Sequence, residues 1–151
     1  MTNKRRWTSP RSGGFTFLEV LIAMLIVSIL SGVVGLSLYQ YVRRAKVEAA
    51  RSQIKTLQTA LQIFRSEQGQ LPTQSQSLEA LCQQPTTPPI PDKYPEEGYL
   101  DTPTVPKDPW GHDYIYLVPG RNGEPFEIIS YGSDGEPGGT GDAADVSSAA
   151  Q

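Results

Sequence analysis

An α+β chain, with one long N-terminal helix followed by a small antiparallel sheet, is the architecture this sequence predicts. Three observations predict it. Phe15 to Leu38 is apolar or small almost throughout. From Tyr39 to Gln68 the chain is more polar but free of Pro and Gly, and Val47, Ala50, Ile54, Leu57, Leu61 and Phe64 recur at spacings of three and four. That periodicity makes one apolar stripe on a helix. Beyond Gly69, where most of the 13 prolines lie, Tyr114–Val118 and Phe126–Tyr131 are β-like runs separated by turn residues.

The chain has 151 residues, room for one modest domain, with a net charge of −3. Its basic residues cluster at Lys4, Arg5, Arg6 and Arg11 and again at Arg43, Arg44 and Lys46. The two clusters flank the apolar run, a placement that suits lipid headgroups better than a DNA groove, so no nucleic-acid partner is expected. A single cysteine, Cys82, excludes an internal disulfide, and a single histidine, His112, argues against a Ser-His-Asp triad or a histidine-based metal site. An enzyme is not expected, because no convergent set of activated groups is visible.

Residues 1–14 form a basic leader. The run 15–38 would make a helix about 36 Å long, enough to cross a hydrocarbon core of about 30 Å. Ser28, Ser31, Gly32, Gly35 and Ser37 give one end small residues that allow close helix approach. Glu19 is out of place in such a run, and an acid at mid-bilayer costs on the order of 3 kcal/mol. A secretory signal peptide fits poorly, since the run is long and no clear small-x-small site follows it. A plain anchor leaves Glu19 without a purpose. A cut between Gly14 and Phe15 would give it one: the new α-amino group of Phe15 is a cation within reach of a carboxylate four residues on, in the same chain or a neighbour. A carboxylate near a helix N-terminus is also favoured by the helix dipole.

The amphipathic segment, 39–69, reads as the same helix entering a folded domain, with Glu48 and Arg51 placed for an i,i+3 pair and Gly69 as its stop. Residues 70–107 read as a loop region. Ser77 is placed to cap a short helix through Gln83, Cys82 is expected to behave as a small apolar residue, and the five prolines from Pro85 to Pro95 predict a surface loop. Residues 108–151 hold the sheet. Asp108-Pro109-Trp110-Gly111 is a turn that brings Trp110 to anchor sheet to helix, and Gly120-Arg121-Asn122-Gly123 carries an Asn-Gly hairpin signal.

The stretch from Ser133 to Asp145 places Asp134, Glu136, Asp142 and Asp145 among glycines. Carboxylates and glycine-bent carbonyls are hard oxygen donors of the kind Ca²⁺ takes six to eight of, although the spacing is not that of an EF-hand. The alternative is a flexible acidic turn.

The segment "GGFTFLEVLIAM" resembles the class III signal of type IV pilins and pseudopilins. The resemblance implies removal of the leader after Gly14 by a prepilin peptidase, N-methylation of Phe15, and a role for Glu19 in guiding subunit addition. It also implies a type IV pilin-like fold, an inner-membrane helix with the C-terminal domain in the periplasm, and later a periplasmic filament. The sequence departs from the family at Leu36, where many members carry a proline. The stretches "GQLPTQSQSLEAL", "YLDTPTVPKDPWGHDYIY" and "FEIISYGSDGEPGGTGDAADV" are similar to the major pseudopilins of type II secretion, so the resemblance covers nearly the whole mature chain. It implies a homopolymeric pseudopilus with minor pseudopilins and an inner-membrane assembly platform as partners. It further implies one Ca²⁺ in the terminal loop, with the Asp134 side chain and Tyr131 carbonyl as ligands, Asp142 as the second acid, and the Glu136 carbonyl and Asp145 as further candidates. Two alternatives stay open: a pilin for motility, adhesion or DNA uptake, and a membrane-tethered calcium-binding module that never assembles.

Overall fold

The computed structural model describes residues 13–149, and for residues 32–39 the backbone alone. The expected leader therefore lies almost wholly outside the described residues, as does the side chain of Leu36. The chain divides into two compact units, residues 1–40 and 41–151.

Helix α1 spans Phe17–Gln68. Its start is capped: the Glu19 amide donates to Thr16 Oγ1 at 3.2 Å, which satisfies one of the donors that a helix N-terminus leaves without a partner. Its end follows the sequence expectation. Gly69 has φ 74°, and its amide donates to the Arg65 carbonyl at 2.9 Å. A side chain would resist that left-handed backbone, and glycine does not. Among the described residues no helix is long and apolar enough to cross a membrane, and residues 32–38, described by their backbone alone, belong to the apolar run in question.

In the second unit the expected stripe forms one side of the core. Ala50, Ile54, Leu57, Leu61 and Phe64 are buried, Val47 packs at the margin, and Ala60 joins them. Glu48 and Arg51 pair at 2.8 Å on the exposed face. The opposite wall comes from Leu78, Ala80 and Leu81, from Leu100, and from Tyr114, Tyr116, Ile128 and Val146 of the sheet region. Trp110 is half-buried and packs on this core from the side, as its bulk suggests. Cys82 is half-buried too, and burial together with nearby Glu79 pushes its thiol above the ordinary range, which disfavours the reactive thiolate.

The loop region departs from expectation at Ser77. The short helix is one 3-10 turn, Leu78–Leu81, and Ser77 does not cap it: its φ is 54° and its side chain makes no capping hydrogen bond. Gln76 supplies the local order instead. It is buried, its Nε2 donates to the Thr87 and Pro89 carbonyls at 2.7 and 2.9 Å, and its Oε1 accepts from the Thr73 amide at 2.9 Å. One amide side chain thus fastens the proline-rich loop, which has no ladder of its own, to the turn before the 3-10 helix. Phe64, Tyr94 and Tyr99 complete the seal, with ring centroids 5.1 Å apart for Phe64–Tyr99 and 5.4 Å for Tyr94–Tyr99.

The sheet has three antiparallel strands in the order β1 (Ile115–Leu117), β2 (Glu127–Ser130), β3 (Val146–Ser147). Tyr116 faces Ile128 across the first pair and Ser130 faces Val146 across the second. The expected hairpin is present, and its connection over residues 118–126 contains the expected turn at Gly120–Gly123, where the Gly123 amide donates to the Gly120 carbonyl at 3.4 Å and Gly123 has φ 92°. β3 was not legible beforehand, because a two-residue strand has too few positions to show alternation.

Candidate functional site

Two regions carry the residues singled out in the sequence. The first is the start of α1. Every described side chain from Phe15 to Ser31 is exposed, including Phe15 at 82%, Phe17 at 81% and Met24 at 63%. A helix that is uncovered all round and apolar at nearly every position needs lipid or other helices around it. Glu19 lies on this surface beside Phe15, Val20 and Ala23. Its proposed partner does not exist in the uncut chain, where the Phe15 nitrogen is a peptide amide. Thr16, whose hydroxyl caps the helix, was overlooked in the sequence. The signal was present, since Thr16 and Glu19 have the Thr-x-x-Glu spacing of a capping box.

The second region is the acidic loop. The Ser133 amide donates to the Asp142 carbonyl at 2.9 Å and closes the loop at its neck. Gly132 makes this possible: its φ is 64°, and a Cβ there would lie 2.6 Å from that same carbonyl oxygen. Residues 134 and 142 are thereby brought to the two sides of one closure. Asp142 sits at a short 3-10 turn, Gly141–Ala143, and forms an ion pair with Arg43 of α1. Asp134 Oδ1 accepts from the Glu136 amide at 3.2 Å, and Asp145 Oδ1 accepts from the Gly138 amide at 3.0 Å. The Glu136 side chain is exposed and Tyr131 is half-buried at the loop entrance. The donor chemistry, all oxygen, suits a hard cation. The placement is incomplete: among the described residues no three His, Cys, Asp or Glu side chains gather as a metal-holding group, and the positive charge beside Asp142 is a guanidinium.

Two buried carboxylates that sequence reasoning passed over hold this region in place. Asp108 Oδ1 accepts from the amides of Trp110 and His112 at 3.0 and 2.8 Å, and its Oδ2 accepts from the Ser130 hydroxyl at 2.6 Å. It thereby ties the turn before β1 to the last residue of β2. His112, positioned by that turn, meets the Gly132 carbonyl through Nδ1 at 2.9 Å, an arrangement that calls for a proton on Nδ1. Glu127, 1% exposed, takes a two-pronged contact from Arg121, at 3.0 Å from Nε and 2.8 Å from Nη2. It also accepts from the Arg121 amide at 3.1 Å and from the Ser147 hydroxyl at 2.6 Å. The Arg121 hydrogen bond, against a smaller burial cost, holds its carboxyl at about 2, well below the ordinary 4.5. The Asx-type Asp108-Pro-Trp-Gly turn was a readable signal for the first carboxylate. Glu127 gave none, because an acid within a strand ordinarily faces water.

A long helix beginning in an exposed apolar segment and ending against a small antiparallel sheet defines a pilin-like subunit, and residues 9–35 match the prokaryotic N-terminal methylation motif that accompanies this class. Residues 37–149 match the model for type II secretion system protein G, and the chain belongs to that family. It is 37% identical over 136 residues to the type II secretion system core protein G of Pseudomonas aeruginosa, which covers 90% of this chain and 94% of that one. It is 40% identical to the Vibrio cholerae protein of the same name, over 88% of each chain. Its structure is similar to that of the major pseudopilin from the type 2 secretion system of enterohaemorrhagic Escherichia coli. The TM-score is 0.62 and the identity 34%, over 74% of this chain and 92% of that one.

Proposed function

We infer that this chain is a structural subunit of a type II secretion pseudopilus, without catalytic activity of its own. The observation that carries the reading is the uncovered apolar helix start, Phe15 to Ser31, lying within a methylation-motif match. A prepilin peptidase removes residues 1–14 and methylates Phe15. The run 15–38 then holds the subunit in the inner membrane as a single span, with the second unit in the periplasm. Leaving the membrane requires another apolar surrounding, and the same helices of further copies supply it. Head-to-tail helix packing that does not close on itself yields an open helical filament. Such a filament, assembled on an inner-membrane platform with minor pseudopilins, drives or scaffolds export of folded proteins across the outer membrane. Glu19 pairs with the new Phe15 amine during addition.

We also assign the acidic loop to calcium, supported by its oxygen chemistry and neck closure. Asp134 and Asp142 supply side-chain oxygens, Tyr131 and Glu136 carbonyls, and Asp145 supports the loop. The ion, when bound, supplies the positive charge that offsets four neighbouring carboxylates.

The test is assembly. Glu19→Ala is expected to be cut and to stay in the membrane but to yield few filaments in cells expressing the secretion system. Wild-type filament yield from Glu19→Ala refutes the pairing. Membrane retention without filaments in the wild type as well refutes the filament reading.

A further inference from the structure

The acidic loop carries a resident cation of its own. Arg43 reaches from α1 to Asp142, its Nε against Oδ1. Its guanidinium lies over Gly141, where a Cβ would come within 2.6 Å of Nη2, so the absence of a side chain at 141 is what admits it. The two side chains are 40% and 24% exposed, while the Asp142 Oδ1 that meets Arg43 is itself shielded from solvent. The same loop also carries Asp134, Glu136 and Asp145.

We propose that Arg43 competes with a divalent cation for Asp142, and so sets how tightly the loop takes calcium. This rests on the calcium reading above. Its physical basis is that guanidinium and metal ion seek the same carboxylate, and that two cations beside one carboxylate repel each other even if each finds an oxygen. Without metal, Arg43 joins the loop to α1 and offsets part of its negative charge. With metal, the ion takes over both tasks and Arg43 leaves Asp142. The price of each calcium bound is one ion pair lost, so affinity is lower than the donor set alone would give. The state of the loop is also felt on α1, where Arg43 is anchored.

The experiment is calcium titration by calorimetry on the full chain in detergent micelles, after removal of metal, for wild type, Arg43→Gln and Arg43→Lys. Arg43→Gln is expected to bind about two- to fivefold tighter than wild type, the size of a partly exposed ion pair. Arg43→Lys, which keeps the charge without the planar fork, should fall between them. A second readout is independent of titration. In chelator, Arg43→Gln should melt below wild type, and in saturating calcium the gap should close, because the wild type has then given up the pair. Equal or weaker calcium affinity in Arg43→Gln, or a melting gap of the same size with and without calcium, overturns the competition and leaves the calcium reading standing. No calcium binding by any of the three proteins overturns both.

Discussion

Glu127→Gln keeps the size and shape of a buried side chain and removes only its charge. In the wild type that charge receives three hydrogen bonds from Arg121 and one from Ser147, so it joins the loop after β1 to both β2 and β3. A carboxyl held at about 2 instead of 4.5 favours the charged form in the folded state by about 3 kcal/mol. Arg121 is 46% exposed, so solvent screens part of this and about 2 kcal/mol is the working figure. Glutamine approximates the neutral form, so Glu127→Gln should be less stable than wild type by about 2 kcal/mol at pH 7. For a folded unit of this size that lowers Tm by about 8–12 °C. The sign of the pH dependence follows from the direction of the shift. The contribution is fully present above the unfolded value near 4.5 and is lost as the pH falls through about 2. Thermal melts of both proteins, followed by circular dichroism from pH 7 to pH 2, should therefore converge as the pH drops, since the other carboxylates are common to both. Equal Tm values at pH 7, or a gap that stays constant down to pH 2, would refute the reasoning.

Asp108→Ala should cost about 3 kcal/mol or more, because two amides and the Ser130 hydroxyl lose their acceptor, while Asp108→Asn should cost less; denaturant melts in which the two variants match would contradict this account. Phe64→Ala removes a ring 2% exposed and its contact with Tyr99, and should cost about 3–5 kcal/mol by the same measurement. Calcium at a hundred times its Kd should stabilise the folded chain by about 2.7 kcal/mol, chelator should reverse this, and Asp134→Ala should abolish the shift; a Tm indifferent to calcium reduces the loop to a solvated acidic turn. The membrane-extracted mature protein should have the mass of residues 15–151 plus one methyl group, and a chain starting after Leu38 would instead indicate an ordinary signal peptide.

What the sequence determined by itself is what depends on local pattern. A 3.6-residue period specifies which face of a helix is buried, and the six stripe residues from Val47 to Phe64 meet the core as the period requires. The stop at Gly69, the hairpin runs, the methylation motif and the crowding of acids after Ser133 are likewise properties of short stretches, readable wherever the chain goes next. The Thr16 cap and the Asp108 turn were local as well, and were legible in principle from their spacing. Only the tertiary structure decided the rest, because it depends on residues far apart in the chain. Glu127 is buried because the loop after β1 returns Arg121 to it and β3 adds Ser147, and no periodicity in β2 announces either partner. Gln76, an ordinary polar residue in sequence, becomes buried because the proline-rich loop has no ladder of its own and its carbonyls need a donor. Asp142 could be placed in an oxygen-rich loop from sequence, but not opposite Arg43. A charge pair across the fold follows from where the helix and the loop neck come to lie, and the sequence carries no local record of that meeting.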